Sequence, residues 1–208
     1  MAEASSQPTA PFRDSGRGGV ALLIIDLVNG FDFEGGGKLK DAAENIVEPV
    51  LRLRAACDAA DAPAIYVNDN FGEWHSEKSR LVDRARANAS DFVRRIEPRE
   101  QDYFVIKPQL SGFYATNLPL LLPKLGVSRL ILTGVAADMC VLFTAGDAHM
   151  RDYALWVPAD AVAAGGASRT EAALEIMRER LGAETRRSSE LDLAGWIASL
   201  DAREPGAP

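Results

Sequence analysis

A carboxylate, an amine and a thiol each stand at or just beyond the end of an apolar run. Asp26 closes Val20–Ile25, Lys107 closes Tyr103–Ile106, and Cys140 follows Leu130–Leu132 across a short segment. Together they offer a nucleophile for an electrophilic carbon, a base for its proton, and a cation that keeps carboxylate and thiolate charged in one small site. A free cysteine is most often a small buried hydrophobe. The joint placement of three reactive types at strand ends is what singles out Cys140. Asp69 and Asn70 follow a further apolar run, Ala64–Val67.

The histidines do not supply a base to Cys140. His149 lies nine residues on, which at 3.6 residues per turn is the far side of a helix, and His75 lies in a charged loop. Asp26 is the better candidate. Cys57 steps with Ile46, Val50 and Leu53 along one helical face and reads as core. Cys140 is expected in the first turn of a helix capped by Asp138, where unpaired N–H groups and the helix dipole favour a thiolate.

The elements that must position these residues alternate. Strands are expected at Val20–Ile25, Ala64–Val67, Tyr103–Ile106, Leu130–Leu132 and Ala154–Val157, with a short sixth near Glu184-Thr185. Between and after them, helical patterns run over Asp41–Asp61, within Phe71–Ile96, through Leu125, from Asp138, over Ser168–Leu181 and over Leu191–Leu200. Pro49 predicts a late start or an early bend, and Ser168 with Glu171 predicts a capping box. This pattern gives an α/β fold, a three-layer α/β/α sandwich with a mainly parallel six-stranded Rossmann-like sheet. Ligands in such folds bind outside the carboxyl ends of the strands. One domain over 20–200 is expected between a flexible arm, 1–19, and a flexible tail, 201–208. Gly35-Gly36-Gly37 lacks a phosphate-loop pattern and reads as a mobile loop or lid. Phe31, Asn70, Trp74, Phe113 and Tyr114 fall in loops at the expected mouth and fit either substrate contact or packing. An aromatic rim suits a small, flat, mostly neutral amide.

The 208 residues carry a formal net charge of −7, which argues against nucleic acid and anionic membranes as partners. Two cysteines without a CxxC pair argue against a disulfide framework or a structural zinc, and fit a reducing cytoplasm. There is no long apolar run and no secretory h-region.

The order Asp26, Lys107, Cys140, with the stretch TGVAADMCV ending at Val141, resembles the isochorismatase-like cysteine hydrolases from roughly Val20 to Leu181. The resemblance implies attack by Cys140 on a carbonyl carbon, proton transfer through Asp26, and orientation of both by Lys107. It implies a cis Val135–Ala136 bond and an oxyanion hole from the Ala136 and Cys140 N–H groups. Nicotinamidases of this family bind a metal through an Asp-x-His pair and a further His. The matching stretch here, NDNFGEWHSEK, lacks that set, so no metal and no cofactor are expected. The implied function is hydrolysis of an amide, ureide or carbamoyl C–N bond of a small molecule through a thioester. The alternatives are vinyl-ether hydrolysis without covalent catalysis, and a non-catalytic binding or regulatory module. Family members are commonly dimers or tetramers. The apolar residues Val141, Leu142, Phe143, Ala145 and Ala148, and the stretch Leu118–Leu125, fit either an interface or a buried face.

Overall fold

The computed structural model describes residues 18–75 and 77–202; the expected arm and tail lie outside these residues, apart from Gly18–Gly19 and Asp201–Ala202. The strands are β1 (Gly19–Ile25), β2 (Ala64–Asp69), β3 (Tyr103–Lys107), β4 (Val127–Val135), β5 (Ala154–Trp156) and β6 (Val162–Ala163). The α-helices are α1 (Gly36–Glu44), α2 (Val47–Ala59), α3 (Lys78–Ile96), α4 (Leu118–Lys124), α5 (Leu142–His149), α6 (Ala167–Leu181) and α7 (Leu193–Asp201). All strand pairs are parallel, in the order β3-β2-β1-β4-β5, with β6 extending the sheet beside the end of β4.

The two-residue period of a strand sorts the core into two layers. Leu22 and Ile24 of β1 pack with apolar residues of α1, α2, α3 and α7. Ala21, Leu23 and Ile25 pack on the other side with residues of α4, α5 and α6. A strand buried on both faces needs a continuous apolar run, and β1 has one. The expected three-layer sandwich with a parallel six-stranded sheet is the architecture found.

Several local expectations are corrected. Gly35-Gly36-Gly37 is no lid: Gly35 has φ 80 and Gly36 begins α1. A Cβ on Gly36 would lie 2.1 Å from the Phe31 carbonyl oxygen, so the glycine permits a close backbone contact. The single helix expected over Asp41–Asp61 is two helices, broken at Asn45-Ile46, with Pro49 in the first turn of α2. Ser168 does not cap α6. Its cap residue is Gly166, and Thr170 Oγ1 instead donates to the Gly166 carbonyl and accepts the Ala164 N–H. Glu184 makes only an isolated bridge to Trp156, and the sixth strand is β6. Among the described residues no helix is long and apolar enough to cross a membrane.

Candidate active site

The sheet order reverses at β1, whose neighbours are β2 on one side and β4 on the other, so a crevice opens at the carboxyl ends of these strands. Asp26 leaves β1 in the left-handed region at φ 52, a conformation that Asp tolerates better than most residues. Its backbone N–H donates to the Val67 carbonyl at 3.0 Å, and its carboxylate Oδ1 accepts the Asp69 N–H at 2.7 Å. Asp69 and Lys107 are register partners at the ends of β2 and β3. On the far side, the penultimate residue of β4 is Gly134 at φ 111. A Cβ there would fall 2.0 Å from the Ile25 carbonyl oxygen, so only glycine lets the two strands close. The Val135–Ala136 peptide bond that follows is cis. Ala136 is extended, and its carbonyl accepts the Met139 and Val141 N–H groups at 3.0 and 3.2 Å.

These elements bring the three expected chemical groups together. Lys107 Nζ lies 2.9 Å from Asp26 Oδ2, 3.3 Å from Cys140 Sγ and 3.5 Å from Asp69 Oδ2. The Asp26 carboxyl and the Cys140 thiol are close enough to act on each other's titration. Lys107 and Asp26 are buried; Cys140 is half-buried.

Burial sets the protonation of the cluster. It pushes the Asp26 carboxyl above its ordinary value, although Lys107 opposes the shift. Burial and the Asp26 charge push the Cys140 thiol up to about 12. Burial alone would lower Lys107, but Asp26, Cys140 and Asp69 together hold its ammonium above the ordinary value. Burial thus favours the protonated Cys140 thiol and Asp26 carboxyl, and Lys107 opposes it at both groups. The expected helix-terminus thiolate is corrected: Cys140 sits in a π turn, Ala137–Val141, that precedes α5. Asp138 caps nothing; its carboxylate pairs with Arg169 at 2.6 Å.

The five loop residues divide. Trp74 and Tyr114, 77 % and 60 % exposed, line a groove of about 610 Å³ together with Pro108, Phe143 and Asp147. Pro108 adjoins Lys107, and Phe143 is one turn past Cys140. The other three are corrected as substrate contacts. The Phe31 ring is buried edge-on against Phe92 at 5.3 Å. Phe113 is buried between Tyr153 and the Arg151 guanidinium. Asn70 is buried, and its Oδ1 accepts the Gly72 N–H in a turn. Large apolar rings at a loop's base gain more from the core than from solvent.

Three supporting residues were not singled out from the sequence as parts of the site. Phe143 is one, and its spacing of three from Cys140 was the available signal. Asn68 is another: its side chain exchanges two hydrogen bonds with the Val28 backbone and pins the segment after β1. The third is Arg84, which donates to the Phe71 carbonyl and pairs with Asp32 and Glu73, tying the loops after β1 and β2 together. Neither reads as functional in sequence, because their partners are distant in the chain.

Among the described residues no group of three or more His, Cys, Asp and Glu is placed to hold a metal ion. Asp69 has Oδ1 on the Phe71 N–H and Oδ2 facing Lys107, and His75 is exposed, so this donor set does not fit the nicotinamidase metal.

Comparison with known proteins agrees with the geometry. The chain is 40 % identical over 165 residues to the isochorismatase family protein YaaI of Bacillus subtilis, covering 79 % of this chain and 91 % of that one. It is 26 % identical over 174 residues to the ureidoacrylate amidohydrolase RutB of Serratia proteamaculans, covering 70 % of each. The crystal structure of N-carbamoylsarcosine amidase from Thermoplasma acidophilum matches with a TM-score of 0.64 at 28 % identity, over 84 % of this chain and 99 % of that one. The Isochorismatase domain family matches residues 20–189, which span the whole sheet and the Asp26, Lys107 and Cys140 cluster, and the chain belongs to that family.

Proposed function

We propose that this chain is a cysteine-dependent hydrolase that cleaves a C–N bond of a small amide, ureide or carbamoyl compound through a thioester. The observation that carries the reading is the contact of one buried ammonium, Lys107, with both Asp26 and Cys140. The names of the amidase-type relatives support the bond type.

In this mechanism Cys140 Sγ attacks the carbonyl carbon as its proton passes to Asp26. Lys107 offsets the negative charge while it moves between sulfur, carboxylate and carbonyl oxygen. The N–H groups of Ala136 and Cys140 form the oxyanion hole. As the tetrahedral intermediate collapses, the C–N bond breaks and Asp26 returns the proton to the leaving nitrogen. Water then attacks the thioester, giving its proton to Asp26, and the thiolate leaves and is reprotonated. Every step uses one carboxyl as base and then acid, which suits a group whose pKa is held above the ordinary carboxylate value. The groove of Trp74, Tyr114 and Phe143 takes the rest of the substrate.

An oligomer belongs to the same proposal. Leu120 and Met150 expose 70 % and 72 % of their surface and Phe143 50 %, while Ala145 and Ala148 of the same helix as Phe143 are buried within the subunit. The apolar surface left over is the side-chain set that an isologous interface uses.

The test is an ammonia-release screen over small primary amides, carbamoyl compounds and ureides, run on the native chain and on protein pre-alkylated at Cys140. The expected result is release by the native chain alone. Release that survives alkylation would overturn the covalent mechanism, and no release from any class would overturn the amidase reading.

A further inference from the structure

The cluster is not uniformly enclosed. The Lys107 side chain is 0 % exposed and the Asp26 side chain 7 %, whereas the Asp69 side chain is 33 % exposed. Asp69 Oδ1 accepts one hydrogen bond, from Phe71 N–H at 2.7 Å, and Oδ2 makes one long contact to Lys107 at 3.5 Å. A carboxylate offers about four lone-pair positions, so Asp69 keeps accepting capacity on its open side.

The charge balance points the same way. The groups in contact are two carboxyls, Asp26 and Asp69, and one amine, Lys107, with the Cys140 thiol beside it, so acidic side chains outnumber basic ones. The nearby ionic side chains are matched among themselves: Arg84 with Asp32 and Glu73, Arg80 with Glu73, and Arg151 with Asp147. Among the described residues Asp69 has no such partner beyond Lys107, and its part-exposed carboxyl stands one side chain away from Cys140, across the Lys107 ammonium.

We propose that Asp69 is a specificity-determining residue: its carboxylate accepts an N–H from a neutral or cationic amide and repels substrates that carry a carboxylate beside the scissile bond. The inference rests on Cys140 being the nucleophile of the proposed hydrolase and adds the substrate's charge class. A carboxylate brought into the partly buried site meets like charge in a medium less polar than water, where repulsion is strong.

Iodoacetamide and iodoacetate test this without a known substrate. They are similar in size, one neutral and one anionic. Each forms a sulfur–carbon bond as iodide leaves and the thiol proton passes through Asp26 to solvent. Cys57 is fully buried, and peptide mass mapping separates its signal from that of Cys140. In the native chain, the iodoacetamide-to-iodoacetate rate ratio at Cys140 is expected to exceed that of free cysteine by roughly tenfold. Asp69→Asn keeps an oxygen for the Phe71 N–H but removes the charge, and should return the ratio close to that of free cysteine. A native ratio equal to that of free cysteine would overturn the proposal. So would an Asp69→Asn variant that slows both reagents alike, which is the signature of a purely structural role. Cys140 inert to both reagents would remove the nucleophile on which the inference stands. A charge-dependent ratio together with a failed ammonia screen would sink the amidase reading and leave the electrostatic assignment of Asp69 standing.

Discussion

The backbone N–H of Asp69 donates to the Asp26 carboxylate at 2.7 Å, so the last residue of β2 holds the residue that follows β1. The side chain of the same Asp69 faces Lys107. One residue thus fixes the Asp26 carboxyl through its main chain and touches Lys107 through its side chain. In the proposed mechanism this orients the base before any substrate arrives and removes reorganisation from the chemical step.

Cys140→Ser is expected to lower turnover by about a thousandfold or more while leaving the unfolding free energy within about 1 kcal/mol of the native value. A hydroxyl gives up its proton far less readily than a thiol, so Asp26 is too weak a base for it. Turnover and urea unfolding measured on the same preparation check both halves, and native-like turnover would end the covalent mechanism.

Lys107→Met is expected to destabilise the fold as well as abolish activity. It leaves Asp26, 5 % exposed, without its buried counter-ion, and breaking a buried pair from one side costs about 3–5 kcal/mol. Adding Asp26→Asn to the same chain should recover most of that stability without restoring activity. Equal denaturant midpoints for the single and double variants would contradict this.

Gly134→Ala should lose about 4 kcal/mol or fail to fold. Its Cβ would sit 2.0 Å from a backbone carbonyl in the central strand, which has no side chain to swing away. Gly37→Ala meets nothing within 4 Å and serves as the control, expected to be neutral or slightly stabilising. Circular dichroism melts of the pair settle it.

Alkali should unfold the protein through two buried groups. Burial pushes the Cys57 thiol from 9.0 to about 12, and burial pushes the Tyr66 phenol from 10.0 to about 12. Both values are higher in the fold than in the unfolded chain. Their contribution is therefore complete below about 9 and is lost as pH rises toward 12. Tyr66→Phe removes the hydrogen bond to the Ile96 carbonyl at 2.6 Å and should lower stability at neutral pH. It should also flatten the fall above pH 10. Urea midpoints between pH 8 and 11 test this, and parallel curves for the two proteins would be the contrary result.

Light scattering at micromolar concentration should give a multiple of the 22.4 kDa chain mass. A mass of one chain would remove the proposed oligomer. If the oligomer forms, Leu120→Glu should weaken it more than Ile176→Glu; the reverse order would contradict an interface through Leu120.

The sequence by itself determined the layers and the chemical inventory. An apolar run as short as Leu22–Ile25 has no amphipathic face and fits a strand buried on both sides, and its alternation with helical periods makes a parallel sheet the consistent arrangement. Because ligands gather at the carboxyl ends of such strands, Asp26, Lys107 and Cys140 were legible as a group before their distances were known. What only the tertiary structure decided depends on neighbours that are far apart in the chain. Strand order places Asp69 between Asp26 and Lys107. Packing against Phe92, Tyr153 and Arg151 takes Phe31 and Phe113 out of the pocket, although their loop sequences look like those of Trp74 and Tyr114. The Cys140 thiol follows the same rule: its position after a strand suggests a helix dipole, but burial and the Asp26 charge, both tertiary, push the thiol up.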